Sequence, residues 1–214
     1  MAHDMTSHSQ PRLTPDLMVR AYAAGIFPMS EGAEVSDVFW VDPQERGVFP
    51  LDGFHISRSL RRQINRGGYR VHVDRDFAGV VEGCAARDQT WINGELFGCY
   101  LALNAQGLAH SVEIWDQEGL AGAVFGLTLG AAFFGESMFS ARTGGSKLAL
   151  VHLIHRLRFG DFTLFDTQFV TDHLISLGAV EISRAAYRKQ LAEALENEAD
   201  FLALPEDAPL DSLS

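Results

Sequence analysis

The fold is decided by residues 109–134, which read AHSVEIWDQEGLAGAVFGLTLGAAFF. Residues 109–115 alternate in the manner of a strand, and two further apolar runs, 120–127 and 131–134, follow short turns that contain glycine. Consecutive strands joined by such short turns usually pair with each other directly. This stretch therefore predicts a meander of antiparallel strands.

Helical and extended segments flank the meander on both sides. Periodicity predicts helices at 57–65, 77–86, 94–106, 147–159, 171–177 and 183–198, and strands at 69–74, 162–168 and 180–182. A meander followed by alternating helices and strands gives a mixed sheet with helices packed on it. We therefore expect an α+β fold.

Composition divides the chain into three parts. Residues 1–54 are rich in Pro and Gly and predict a small N-terminal domain, with a short helix and extended pieces at 14–25, 38–41 and 47–49. Residues 55–204 hold the predicted sheet and form the main domain. Residues 205–214 are acidic, contain two prolines and predict a flexible tail.

The charge is distributed unevenly along the chain. The formal net charge is -11, but seven acids lie between residues 193 and 211, where no Lys or Arg occurs. Residues 55–75, in contrast, hold six arginines and one acid: Arg58, Arg61, Arg62, Arg66, Arg70, Arg75 and Asp74. A local basic patch of this kind is suited to phosphate groups, whatever the average charge.

The composition also argues against several classes of protein. The most apolar helical stretch, at 148–157, is interrupted by His152, His155 and Arg156, which argues against a membrane span. Cys84 and Cys99 are isolated, which argues against disulfides and a zinc site. No secretory signal is recognisable, so we expect a cytoplasmic protein. His152 and His155 have no further candidate metal ligands beside them in the sequence. Two such histidines more often pack in the interior of a protein than bind a metal.

Three polar groups interrupt apolar segments and are candidates for chemistry. Glu136 follows a predicted strand and stands among aromatic and Met residues, and Asp166 and Gln168 are two residues apart in a strand, so they face the same side. Trp91 precedes a loop that contains glycine. Each also has a structural interpretation, since Glu136 could cap a helix, Asp166 could make a structural hydrogen bond and Trp91 could belong to the core.

Taken together, seven groups of motifs decide between these interpretations. They are Gly25-Ile26-Phe27-Pro28, His55-Ile56-Ser57-Arg58-Ser59, Glu82-Gly83-Cys84, Thr90-Trp91-Ile92, His110-Ser111-Val112-Glu113-Ile114-Trp115, Gly135-Glu136-Ser137-Met138-Phe139-Ser140, and Asp166-Thr167-Gln168 with Asp172-His173 and Ser176-Leu177-Gly178-Ala179. In this order the sequence resembles the leucyl/phenylalanyl-tRNA-protein transferase family, from about residue 13 to residue 187. Met29 stands where many members of that family have Trp.

The resemblance implies a GNAT-like main domain and a reaction. Leucine or phenylalanine would pass from a charged tRNA to the α-amine of a protein that begins with Arg or Lys, which marks that protein for degradation. Asp166 and Gln168 would be the catalytic pair. The implied substrate-binding residues are Glu136 for the α-ammonium of the amino acid, Trp91 for the terminal adenosine, Ser137, and the pocket residues Phe133, Met138, Leu150, Leu153 and Phe165.

The resemblance also implies partners. Arg58, Arg61, Arg62 and Arg66 would hold tRNA phosphates. No cofactor, metal or membrane is implied, and we expect a monomer.

Two alternatives stay open at this stage. The turn at 142–147 could cradle the pyrophosphate of acetyl-CoA in an N-acetyltransferase. A non-catalytic tRNA- or peptide-binding module would be favoured if Asp166 were buried away from any cleft.

Overall fold

A computed structural model of the chain describes residues 13–35, 37–87, 89–206, 208 and 210. Its helices are Pro15–Ala23 (α1), Arg58–Arg66 (α2), Phe77–Ala85 (α3), Gly94–Ala105 (α4), Gly145–Phe159 (α5), Asp172–Leu177 (α6) and Arg184–Leu195 (α7). Its strands are Phe27–Ser30 (β1), Val38–Val41 (β2), Glu45–Val48 (β3), Arg70–Val73 (β4), Ala109–Asp116 (β5), Gly119–Leu129 (β6), Ala132–Ser140 (β7), Leu164–Gln168 (β8) and Val180–Ser183 (β9).

Helix boundaries follow from capping side chains. The hydroxyl of Thr14 accepts a hydrogen bond from the backbone N–H of Leu17 at the start of α1, and Ser57 does the same for Leu60 at the start of α2. These bonds satisfy N–H groups that have no partner inside the helix. α2 ends at Gly67, whose φ of 62° is easily adopted only by glycine.

Seven strands form the main sheet in the order β4-β5-β6-β7-β8-β3-β9. The meander from β4 to β7 is antiparallel, whereas β7 and β8 are parallel because α5 crosses over between them. The predicted fold class, a mixed sheet with flanking helices and an additional N-terminal part, is confirmed. Glu136 does not follow a strand, however, as the sequence predicted: β7 continues to Ser140 and contains it.

The N-terminal part contributes to the main sheet. β1 and β2 form a separate two-stranded sheet, of which β1 was not predicted because Pro28 lies within it. β3 falls within the predicted N-terminal domain, yet it pairs with β8 and β9 of the main sheet. Residues 1–54 therefore supply one strand on which the other domain depends.

Helices cover both faces of the main sheet. α1, α3, α4 and α7 bury one apolar cluster against what we call the front face, which carries Phe134. α2 and α5 bury a second cluster against the back face, which carries Phe133 and Phe165. Across the part of the chain that the structure describes, no helix combines the length and the apolar character that crossing a bilayer demands.

The first residues of the predicted tail contact the sheet. Glu206 accepts a hydrogen bond of 2.7 Å from the backbone N–H of Val73, and its second oxygen lies 3.0 Å from Nδ1 of His72. Glu206 thereby satisfies the backbone N–H of Val73 on the edge strand β4. Residues 207, 209 and 211–214 of the predicted tail lie outside the described residues.

Candidate active site

A cleft opens where the parallel strands β7 and β8 separate. The two strands pair only from Ala132 to Phe134 and from Leu164 to Asp166; beyond these residues β7 stays with β6, and β8 pairs with β3. The cleft has a volume of about 850 Å³ and is lined by residues from both strands, including Glu136 and Gln168. Strand ends that diverge in this way leave backbone and side-chain groups free to face a ligand.

Glu136 is a buried carboxylate on the β7 side of the cleft. Its Oε1 accepts hydrogen bonds from the Tyr22 hydroxyl at 2.6 Å and from Nε2 of Gln168 at 3.0 Å, and its Oε2 accepts one from the Tyr100 hydroxyl at 2.7 Å. Burial raises the pKa of Glu136 from 4.5 to about 7, against the lowering effect of these three donors. Because the charge of Glu136 is costly without a cation, the site favours a positively charged group beside it.

Glu136 should make the stability of the fold depend on pH. The pKa of its carboxyl is about 7 in the folded protein and 4.5 when exposed, so folding is favoured by protonation, and this contribution is lost as the pH rises from about 4.5 to about 7. Between about pH 5 and pH 8, the free energy of unfolding of the wild type should fall by about 2 to 3 kcal/mol relative to Glu136→Gln. Urea titrations of both proteins measure this difference. Parallel pH profiles would contradict the assignment.

Asp166 is fully buried in the middle of β8, on the front face. Its Oδ1 accepts from Nε of Arg46 at 2.9 Å and from the backbone N–H of Gln168 at 2.8 Å, and its Oδ2 accepts from Nη2 of Arg46 at 2.6 Å and from the hydroxyl of Tyr187 at 2.8 Å. Four donors satisfy both oxygens of this carboxylate. Asp166 itself does not line the cleft, but its Oδ1 is bonded to the backbone of Gln168, which does. Asp166 is thus not buried away from the cleft, and its position does not favour a non-catalytic module.

Gln168 has an unusual backbone, with a φ of 63°. β8 contains a bulge here, since Asp166 pairs with Val48 and Gln168 pairs with the adjacent Gly47. A Cβ atom at Gly47 would lie 2.7 Å from Oγ1 of Thr167, so only glycine permits this approach. The bulge and the bond to Asp166 direct the side chain of Gln168 to Glu136. Among the described residues, Oε1 of Gln168 has no hydrogen-bond donor.

Three further predicted residues lie at the cleft. Trp91, Ser137 and Met138 all line it and are partly exposed. The ring of Trp91 packs edge-on against Tyr100, with ring centroids 6.2 Å apart. Trp91 therefore stands beside the buried carboxylate and still presents a surface to a ligand.

The other four predicted pocket residues lie elsewhere. Phe133, Leu150, Leu153 and Phe165 are at most 2% exposed and belong to the cluster between α5 and the back face. None of them lines this cleft, whereas Met138 and Leu174 line the cleft and also pack against their cluster. The geometry accordingly assigns them to the core, which the sequence analysis could not distinguish from a pocket because both require apolar side chains.

The four predicted tRNA-binding arginines share one exposed helix. Arg58, Arg61, Arg62 and Arg66 all lie on α2, whose buried side is anchored by Leu60 against the core. No ion pair involves these arginines within the ranges described by the structure. Their charges are therefore available to a polyanion at the protein surface.

Several residues of the site were missed by the sequence analysis. Arg46, Tyr22, Tyr100 and Tyr187 all donate hydrogen bonds to Glu136 or Asp166. The chain has four tyrosines, and three of them belong to this network. Burial and the neighbouring carboxylates raise the pKa of Tyr22, Tyr100 and Tyr187, so all three hydroxyls stay protonated and act as donors.

Two other sequence features are occupied by contacts inside the protein. At the start of α5, the N–H of Gly145 donates to the carbonyl of Arg142, and the N–H of Ser146 donates to Oγ of Ser140. These N–H groups are therefore not free for a pyrophosphate.

The Nε2 atom of His152 lies 3.2 Å from the hydroxyl of Tyr69, and burial lowers the pKa of His152 to about 4. Within the described ranges, no cluster of three or more His, Cys, Asp or Glu could hold a metal ion.

Comparison with known proteins identifies the family. The family model described as leucyl/phenylalanyl-tRNA protein transferase matches residues 48–192, and the model of that family's N-terminal domain matches residues 12–44. A leucyl/phenylalanyl-tRNA--protein transferase of Jannaschia sp. is 76% identical over 98% of this chain and 99% of its own length. One of Ruegeria pomeroyi is 60% identical over 92% of this chain and 94% of its own length. The chain belongs to the leucyl/phenylalanyl-tRNA protein transferase family.

Proposed function

We propose that this aminoacyltransferase moves leucine or phenylalanine from a charged tRNA to the α-amine of a protein that begins with Arg or Lys, which marks the acceptor for degradation. The observation that supports this most directly is the contact between Gln168 and Glu136 at the floor of one cleft, with Asp166 bonded to the backbone of Gln168. The amide and two carboxylates suit a reaction between an amine and an ester, in which positive charge must be held and an N–H must be oriented.

The reaction requires positioning more than activation. The acceptor α-amine has a pKa of roughly 7.7 to 8.0, so part of it is already neutral near pH 7. Its nitrogen attacks the ester carbonyl, the bond to the ribose oxygen breaks, and a proton passes from the amine to that oxygen. The products are a peptide bond and a tRNA with a free terminal hydroxyl.

Gln168 orients the attacking amine. Its amide oxygen has no donor among the described residues, lies at the cleft and can accept a hydrogen bond, but an amide is too weakly basic to remove a proton. Asp166 acts through Gln168 as a positioning residue, since its oxygens are already filled by four protein donors. Asp166 is therefore not available to balance developing positive charge, and we assign that part to Glu136.

Glu136 accepts a hydrogen bond from the α-ammonium of the amino acid on the tRNA. A cation at this position offsets the cost of burying the charged carboxylate. The α-ammonium supplies that positive charge. Trp91 stacks near the terminal adenosine, as aromatic side chains commonly do with unpaired nucleotides. Met138 and Ser137 contact the aminoacyl group, with the apolar cluster behind Met138.

α2 binds the tRNA through phosphates. Arg61→Ala and Arg62→Ala should each weaken tRNA binding and reduce the salt dependence of log Kd by about 0.7 to 0.9 per lost contact, because fewer counterions are released on binding. Filter binding at several salt concentrations measures both quantities. Arg158→Ala removes the same charge from an exposed position on α5 and should change neither. Equal effects of all three substitutions would contradict a specific role of α2.

The direct test of the function is transfer of radiolabelled leucine from charged tRNA to a model protein that begins with Arg. We expect labelled product with N-terminal Arg or Lys, and none when the same protein begins with Ser or carries a blocked N-terminus. Acetyl-CoA serves as the competing donor in a parallel reaction. Acetylation without leucine transfer would favour an N-acetyltransferase and overturn the proposal, and tRNA binding without either reaction would favour a non-catalytic module.

We further propose that the protein acts as a monomer in the cytoplasm, where charged tRNA is found. Both cysteines, Cys84 and Cys99, are buried and form no disulfide, as expected in a reducing compartment. Sedimentation of the purified protein, with and without tRNA, tests the monomer.

A further inference from the structure

Arg46 is held on every side in the interior of the protein. Its side chain is 1% exposed, and its Nη1 donates to the carbonyl of Gly25 at 3.1 Å while Nε and Nη2 hold Asp166. The guanidinium also lies 4.5 Å from the ring centroids of both Phe27 and Tyr187. Burial would lower the pKa of Arg46, but the hydrogen bonds and charge of Asp166 outweigh it, so the pKa is raised and the side chain stays charged.

A buried ion pair of this kind contributes little to the net stability of a fold, so stability alone does not explain its presence. Removing two charges from water costs several kcal/mol per ion, and apolar side chains of similar volume often replace such pairs without loss. The pair does, however, fix a carboxylate in one orientation, since two parallel N–H groups meet two oxygens. Arg46 thus has a geometric effect that an apolar residue would lack.

The orientation of the Asp166 carboxylate affects the cleft through one oxygen atom. Oδ1 of Asp166 accepts from Nε of Arg46 and also from the backbone N–H of Gln168, 2.8 Å away. Gln168 has a φ of 63°, which is unfavourable for a residue with a side chain unless its surroundings hold it. If Asp166 turns, the N–H of Gln168 loses its acceptor, and the side-chain amide moves from its position beside Glu136.

We infer that Arg46 and Tyr187 are positioning residues for aminoacyl transfer, which hold Asp166 and thereby set the conformation of Gln168. This inference rests on the proposed function. Tyr187 completes the arrangement, because its hydroxyl donates to Oδ2 of Asp166 at 2.8 Å. Arg46 lies between the two segments matched by the family models, and neither residue contacts the cleft directly.

The test compares Arg46→Lys and Tyr187→Phe with the wild type in leucine transfer. Lysine keeps the charge of Arg46 but cannot hold both oxygens in a fixed plane. A displacement of about 1 Å in a reacting group can cost about 100-fold in rate, so we expect kcat to fall about 10- to 100-fold for Arg46→Lys and less for Tyr187→Phe. The Kd for charged tRNA should stay within about twofold, because α2 is untouched.

Two matched variants separate this role from a general loss of structure. Arg184→Lys alters an ion pair with Asp42 that does not touch Asp166, and Tyr69→Phe removes a hydroxyl that lies beside His152. Both should keep the wild-type kcat. In an Asp166→Asn background, adding Arg46→Lys should lower kcat no further, since residues that act through one another are not additive.

The outcomes distinguish this inference from the proposed function. If the wild type transfers leucine and Arg46→Lys retains its kcat, the inference is wrong and the function stands. The inference is also wrong if Arg46→Lys lowers kcat equally in the Asp166→Asn background, or if its loss of activity matches a loss of folded protein by circular dichroism. Absence of transfer by the wild type, in contrast, overturns the proposed function itself.

Discussion

Gln168→Ala should lower the kcat of leucine transfer by about 100- to 1,000-fold, the range found when one preorganised hydrogen-bonding group is removed from an active site. The amide oxygen that orients the amine disappears, while Trp91, Met138 and α2 remain. The Kd for charged tRNA should therefore stay close to that of the wild type. Single-turnover transfer and filter binding, carried out on the same preparation, measure the two effects separately.

A glycine variant shows whether the amide or the backbone is responsible. Gln168→Gly should be as inactive as Gln168→Ala, yet more stable, because glycine adopts a φ of 63° without strain. The difference in unfolding free energy should be about 1 kcal/mol, as expected for relief of one such conformation. If Gln168→Gly retained the wild-type kcat, the side chain would have no part in the reaction.

Asp166→Ala should have the largest effect on stability. It leaves the charge of Arg46 buried without its partner, and breaking a buried pair in this way costs about 3 to 5 kcal/mol. The total stability of a domain is only about 5 to 15 kcal/mol, so the urea midpoint should fall sharply. Transfer activity should be lost as well, since Gln168 no longer has an acceptor for its backbone N–H.

A double variant that also removes the positive charge of Arg46 is the matched comparison for Asp166→Ala. Arg46→Met combined with Asp166→Ala should recover part of the lost stability, because no uncompensated charge remains, but it should recover no transfer. Urea denaturation and leucine transfer report on the two properties. An unfolding free energy of Asp166→Ala equal to that of the wild type would contradict the buried pair on which this prediction depends.

The sequence predicted the elements of the main sheet well, because they carry strong local signals. The strands of the meander are apolar and joined by turns that contain glycine, α5 is a long and mostly apolar segment, and Thr14 and Ser57 are good helix caps. Local patterns do not predict where a strand pairs. Consequently the sequence places β3 in the N-terminal domain and ends β7 at Phe134, whereas in the structure β3 joins the main sheet and β7 continues to Ser140.

The candidate site was only partly predictable for a related reason. The sequence indicates Glu136, Asp166 and Gln168 because polar groups interrupt apolar runs, and in the structure Gln168 is hydrogen-bonded to both carboxylates. Arg46 and the three tyrosines gave no comparable signal, since a single basic or aromatic residue is ordinary in a sequence. Their roles depend on neighbours more than 20 residues away in the chain, which only the three-dimensional structure supplies.

The long separation of these partners affects when the enzyme becomes active during its synthesis. Tyr22 and Glu136 are 114 residues apart in the chain, Arg46 and Asp166 are 120 apart, and Arg46 and Tyr187 are 141 apart. Contacts at such separations form late, after the large loops between them have closed. A nascent chain on the ribosome, although surrounded by charged tRNA, therefore lacks the complete hydrogen-bond network until the residues up to Tyr187 have been synthesised and released from the ribosome.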